Sequence, residues 1–179
     1  INKFDTLSQS TVRLHTIGIN ADGSKLFDVT YSGVIISRDG PTATILTVAH
    51  GCVPRKDQVT YTTVSQNGED AVLGHITKVG NEDSVDLCLV RADVTGKPVH
   101  IAKNYKPVIG DKLYSVGSPA GVRRFPSEGL MAMHDSVTAQ YLTSLPVAAG
   151  YSGGPIMYRG RLIGIVTAQI STLPHGSIA

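Results

Sequence analysis

The chain reads as an all-β protein, a sandwich or barrel of about a dozen short strands. Three observations predict this. Short runs rich in Val, Ile, Thr and Tyr recur along all 179 residues, and branched or flat side chains fill a pleated surface well. Turn signals separate the runs, drawing on 19 glycines and 9 prolines. No long stretch carries apolar side chains at the i, i+3, i+4 spacing of a helix face.

The predicted strands follow in order. The first set covers Val12–Ile19, Leu26–Ser37, Thr44–Val48, Val59–Val64, Val72–Val79 and Leu87–Arg91. The second covers His100–Ala102, Lys112–Val116, Met131–Val137, Gln140–Leu142, Ile156–Tyr158 and Leu162–Ala168. Between them stand Asp22-Gly23, Asp39-Gly40-Pro41, Asn67-Gly68, Lys97-Pro98, Ser118-Pro119-Ala120-Gly121 and Arg159-Gly160. Asp-Gly and Asn-Gly tolerate the positive φ of tight hairpins. The strand signal is weakest over Asp93–Pro107, which predicts a connection between two halves: lobes over residues 1–95 and 96–179.

Composition excludes several classes of function. Apolar residues make up 41% and charged residues 17%, as in ordinary folded proteins. The net charge is +2 without a block of like charges; Arg123–Arg124, and Arg159 and Arg161 around Gly160, read as solvated loops. Nucleic acid is therefore not an expected partner. The histidines His15, His75, His100, His134 and His175 show no ligand spacing, and the cysteines do not cluster, so no metal site and no cofactor is expected. No apolar run approaches the ~18 residues that span a bilayer. Cys52 and Cys88 are too few for a disulfide framework and read as reduced, buried thiols, although the two are able to pair. The start, Ile1-Asn2-Lys3-Phe4-Asp5, has neither an initiator methionine nor a signal-peptide layout. The expectation is a monomeric domain processed from a longer precursor.

Chemistry concentrates at three places. Ser152 lies in Ala149-Gly150-Tyr151-Ser152-Gly153-Gly154-Pro155. A hydroxyl that attacks a carbonyl creates an oxyanion, which preorganised donors must stabilise. A sharp turn here presents the backbone N–H groups of Gly150 and Ser152 as those donors. A glycine-rich hairpin with an incidental serine is the plain alternative. The Gly-x-Ser-x-Gly spacing also fits the α/β-hydrolase elbow, but that needs an acid and then a histidine downstream. No Asp or Glu follows Ser152, so that reading fails. Upstream, His50 ends the apolar run Ile45-Leu46-Thr47-Val48-Ala49, and Asp86 stands at the mouth of Leu87-Cys88-Leu89-Val90. A carboxylate beside an apolar strand is costly without a partner. An imidazole N–H is such a partner, and the bond selects the tautomer whose other nitrogen takes a serine proton.

Thr47-Val48-Ala49-His50, Asp86-Leu87-Cys88-Leu89-Val90 and Gly150-Tyr151-Ser152-Gly153-Gly154-Pro155, in this order, resemble the three motifs of the chymotrypsin-like serine peptidases. Leu162-Ile163-Gly164-Ile165-Val166-Thr167 is similar to that family's substrate-edge strand, so the resemblance runs from about Val12 to Thr167. It implies two six-stranded antiparallel Greek-key barrels with the active site in the crevice between them. His50, Asp86 and Ser152 are then the catalytic triad. Thr167 stands beside Asp86, and an extended polypeptide substrate pairs with Thr167, Ala168 and Gln169. Pro146, Val147, Ala148 and Ala149 wall a primary pocket that, being uncharged, disfavours Arg and Lys.

The departures are informative. Tyr151 replaces the aspartate that pairs with a new N-terminus in digestive members, so no activation through Ile1 is expected. Gly51 intervenes before Cys52, unlike the family's usual disulfide pattern, and little chain remains for a last strand after Gln169. The compact spacing suits short viral or bacterial members. It implies a polyprotein-processing enzyme of the host cytoplasm in the first case, and a secreted or envelope protease in the second. A silent relative that keeps the fold for binding is the alternative function; a structural barrel of other ancestry is a third.

Overall fold

The computed structural model describes residues 2–52, 59–66, 69–80, 86–117, 125–135, 140–146, 150–169 and 176–178. The first sheet is built from β1 (Thr11–Ile19), β2 (Lys25–Asp39), β3 (Thr42–Thr47), β4 (Val59–Ser65), β5 (Val72–Leu73), β6 (His75–Val79) and β7 (Cys88–Ala92). Their spatial order is β5-β4-β1-β2-β3-β7-β6, antiparallel at every pairing. The predicted strand Val72–Val79 is split at Gly74, which donates its N–H to the Thr62 carbonyl at 2.8 Å. A Cβ there would press on Val90 and Val64. The bend lets one segment pair with β4 on one side and β7 on the other, so the sheet curls back on itself.

The second sheet comprises β8 (His100–Ile101), β9 (Lys112–Gly117), β10 (Phe125–Asp135), β11 (Gln140–Thr143), β12 (Pro155–Tyr158), β13 (Arg161–Gln169) and β14 (Gly176–Ile178). Its order is β12-β9-β10-β11-β14-β13-β8, and an added β12–β13 pairing closes it into a ring. Two expectations need correction here. β8 runs parallel to β13, through His100 opposite Arg161 and Ile101 opposite Leu162. It is a piece of the connecting segment laid along β13, outside the antiparallel ring. β10 starts at Phe125 rather than Met131. Its first half, with Pro126 and Gly129, has weak strand propensity, but its register with β9 from Phe125↔Gly117 to Leu130↔Lys112 overrides that. The turns at Asn67-Gly68 and Ser118–Gly121, the arginines Arg123–Arg124, and Val137 lie outside the described residues.

Helices are short. α1 (Lys3–Ser8) is capped by the Asn2 side chain, which accepts from the Phe4 and Asp5 N–H groups at 3.0 Å each. Six residues are too few to show a stripe in sequence. α2 (Ala49–Cys52) is a single turn. No helix among the described residues is long and apolar enough to cross a membrane.

Burial follows the pleat. In β3, Ala43, Ile45 and Thr47 point inward while Thr42, Thr44 and Leu46 are half-buried. Leu14, Val34, Ile35, Ile45, Val64 and Val90 form the centre of one apolar cluster, which continues into Tyr114, Val116, Met157 and Ile165 of the second sheet. The two sheets are thus sealed by shared core. Leu113, Met131, Leu145, Tyr151, Ile156 and Val166 make a second cluster within the second sheet. Each such aliphatic side chain contributes about 1.5–3 kcal/mol on burial.

Candidate active site

Strand register brings His50 and Asp86 together. β3 and β7 pair antiparallel, ending at Thr47 opposite Cys88. His50 lies three residues beyond one end and Asp86 two residues before the other, so the segments face each other where the ladder stops. The α2 turn then aims the histidine back at the carboxylate. Asp86 Oδ2 accepts from His50 Nδ1 at 2.7 Å, and Oδ1 accepts the His50 backbone N–H at 2.9 Å. Two bonds to one residue fix both the ring and its backbone. The Asp86 side chain is 13% exposed and the His50 side chain 39%, so the acid is sheltered and the imidazole is the more open of the two.

Gly51, which intervenes before the cysteine, has a packing reason. A Cβ there would stand 2.7 Å from the Tyr31 ring, which lies buried beneath the turn. The Tyr31 hydroxyl bonds to Thr16 Oγ1 at 2.7 Å, and burial pushes its pKa up.

The expectation of reduced thiols is overturned. Cys52 and Cys88 form a disulfide, with Cα atoms 6.5 Å apart and both residues buried. The reason is the same register: α2 carries Cys52 back over the first residue of β7. A signal was present in the sequence. Each cysteine stands two residues after a predicted site residue, so His50–Asp86 and Cys52–Cys88 share the separation of 36.

Ser152 sits in the segment leading into β12. Gly150 (φ 91°) and Gly153 (φ 88°) both adopt the left-handed region and make the chain turn on either side of it. The Gly153 N–H donates to the Val166 carbonyl at 2.7 Å, and the Val166 N–H to the Gly154 carbonyl at 2.9 Å, docking the turn on β13 one residue before Thr167. On its other side the turn meets β2. A Cβ on Gly153 would overlap the Ser32 carbonyl and the Thr47 hydroxyl, so glycine is needed for this close approach.

Tyr151 shows what replaces an aspartate at its position. Its ring is fully buried in the second sheet's core, edge-on to Phe125 with centroids 6.4 Å apart. Its hydroxyl bonds to Ser127 Oγ at 2.8 Å and donates to the Phe125 carbonyl at 3.2 Å. The residue before Ser152 is thereby anchored by packing rather than by an ion pair.

The structure joins His50 and Asp86 directly, and brings the Ser152 turn to their segment through Thr47 and Ser32. The Thr47 hydroxyl donates to the Ser32 carbonyl at 2.7 Å, and the Ser32 N–H donates to the Ser152 carbonyl at 2.7 Å. Among the described residues His50 and Ser152 share no direct hydrogen bond, which is common in substrate-free sites. Thr167 is buried on β13, and Pro146 is exposed after β11. Ala168 and Gln169 pair by backbone with Ser177 and Gly176 of β14. Val147, Ala148 and Ala149 lie outside the described residues, as do Ile1 and His175. Ser32 was not anticipated: nothing local marks a strand serine that acts on residues 118 positions away.

Two curled barrels, one carrying a histidine–carboxylate pair and the other a serine between left-handed glycines, define the chymotrypsin-like fold. Residues 31–165 match the trypsin-like peptidase domain, and the chain belongs to that family. It is also similar in fold to the serine endoprotease from Yersinia pestis, whose crystal structure superposes with a TM-score of 0.76 at 21% identity. That likeness covers 97% of this chain and 59% of the other, so the chain spans about three-fifths of that relative's length. No curated protein matches the sequence.

Proposed function

We propose that the chain is a serine endopeptidase working through an acyl-enzyme. Ser152 Oγ attacks the scissile carbonyl carbon while His50 Nε2 takes its proton. Asp86 holds Nδ1–H and stabilises the imidazolium. The Gly150 and Ser152 N–H groups receive the oxyanion. The tetrahedral intermediate then collapses, the C–N bond breaks, and His50 gives its proton to the leaving amine. Water, deprotonated by His50, releases the acid and restores the serine. The observation that carries this reading is the pair of hydrogen bonds that Asp86 accepts from His50, which leaves Nε2 of the neutral imidazole as the acceptor.

Further parts of the reading follow. Lobes over 1–95 and 96–179 bring His50 with Asp86 and Ser152 respectively, and Thr167 steadies Asp86. Thr167, Ala168 and Gln169 receive an extended polypeptide as an added strand. Pro146, Val147 and Ala149 wall an uncharged primary pocket. The anchored Tyr151 supports a site that is competent without a new N-terminus. Processing of a viral polyprotein is one biological setting for such a domain; a bacterial secreted or envelope protease is the other.

The test is labelling by a fluorophosphonate, which phosphonylates only an activated serine. The folded chain should label at Ser152, and Ser152→Ala should abolish both labelling and peptide hydrolysis. An unlabelled wild-type chain would transfer the case to a silent, peptide-binding relative.

A further inference from the structure

We propose that Ser32, on β2 of the first sheet, is a positioning residue that sets the oxyanion donors of the second. This rests on the serine-peptidase reading above and adds a part to it. Ser32 is wholly buried. Its N–H donates to the Ser152 carbonyl at 2.7 Å, and its Oγ–H donates to the Gly150 carbonyl at 3.0 Å. Its own carbonyl accepts the Thr47 hydroxyl at 2.7 Å, three residues before His50.

The consequence lies in which peptide planes these bonds hold. Fixing the Gly150 carbonyl orients the 150–151 peptide; fixing the Ser152 carbonyl orients the 152–153 peptide. Between them lies the 151–152 peptide, whose N–H is one proposed donor. The Gly150 N–H, the other donor, adjoins the first fixed plane. Gly150 stands at φ 91° with no Cβ to limit its rotation, so its peptide needs a constraint from outside the residue. The buried Tyr151 ring holds the turn from within the second sheet. It grips a side chain, however, and leaves the Gly150 carbonyl's direction open. The Ser32 hydroxyl supplies that constraint from the opposite barrel. Through Thr47, the same residue ties the donors to the segment that carries the general base.

Oxyanion donors act on charge that exists only in the transition state, so displacing them lowers turnover without weakening ground-state binding. Ser32→Ala keeps the backbone bond and removes the hydroxyl. Removing a whole oxyanion donor costs about 10²–10³ in turnover, and loosening one should cost about 10- to 100-fold. The experiment compares wild type, Ser32→Ala and Ser32→Cys in p-nitrophenyl acetate acylation and in fluorophosphonate labelling. For Ser32→Ala we expect the maximal acylation rate to fall 10- to 100-fold with half-saturation little changed, and labelling to slow in parallel. The pH midpoint of acylation should stay in place, because His50 and Asp86 are untouched. Ser32→Cys keeps the volume with a weaker donor and should fall between the two. It carries the same test if Ser32→Ala does not melt cooperatively. Variants that acylate at the wild-type rate beside a normally labelled wild type would overturn the role of Ser32 alone. A wild type that does not label overturns the peptidase reading and this proposal with it.

Discussion

At the residue scale, the proposed chemistry depends on one tautomer. Asp86 is acceptor-only when ionised, so the backbone N–H and Nδ1–H of His50 donate to it, and in the neutral imidazole Nε2 is then bare. Asp86→Asn tests this directly. Asparagine can still accept the backbone N–H with its oxygen, but it then presents its NH₂ to Nδ1. That forces the proton onto Nε2, which can no longer take one from Ser152. We expect turnover to drop by about four orders of magnitude with folding intact, measured as ester or peptide hydrolysis beside a thermal melt. A variant that retained most of its turnover would remove Asp86 from the mechanism. The roles proposed for His50, Asp86 and Ser152 come from the sequence, where each sits in a short phrase with its own chemical logic. Ser32 was not, because its partners Gly150 and Ser152 are distant in sequence and a strand serine carries no mark of its contacts.

At the element scale, the end of the β3–β7 ladder does most of the positioning. It places the His50–Asp86 bond and the Cys52–Cys88 bridge on the same two segments, one non-covalent and one covalent. Closing a loop of 36 residues removes unfolded-state entropy worth about 3–4 kcal/mol. Reduction with a phosphine, or the double change Cys52→Ala and Cys88→Ala, should therefore lower the melting temperature by about 8–15 °C. Calorimetry with and without reductant checks it, and an unchanged melt would show that the bridge contributes nothing. Reading the cysteines as thiols went wrong because pairing is a matter of Cα distance, which the register and the α2 turn supply and the shared separation of 36 only suggests. The first half of β10 was missed for a similar reason: Pro126 and Gly129 argue against a strand locally, and pairing with β9 decides otherwise.

Over the whole molecule, buried hydroxyls link stability to pH. Burial raises the pKa of Tyr31 and of Tyr151 above their ordinary 10.0. Tyr105 shifts the same way, through desolvation first and the nearby Asp111 carboxylate second. The folded state then holds protons that the unfolded chain releases, so stability must fall as pH rises. The contribution is complete below pH 10, where unfolded tyrosines keep their protons, and is lost above it. Melting temperatures should drop steeply from about pH 10 upward, with the tyrosinate absorbance of the buried Tyr31 and Tyr151 appearing together with unfolding. Tyr151→Phe should flatten that decline while losing the bonds to Ser127 and the Phe125 carbonyl. Tyrosinate from Tyr31 or Tyr151, identified by its loss in the Tyr31→Phe or Tyr151→Phe variant, appearing well before unfolding would contradict the burial argument. The amino-acid sequence alone determined that the chain is all-β, where most strands run, and which three side chains carry the proposed chemistry. Strand period, turn residues and short reactive phrases are local properties, written within a few residues of one another. Tertiary structure decided the Cys52–Cys88 pairing, at which the shared separation of 36 only hinted, and it alone decided the parallel β8 and the grip of Ser32 on the Ser152 turn. These depend on which strands lie side by side, and that is settled by packing between residues far apart in the chain.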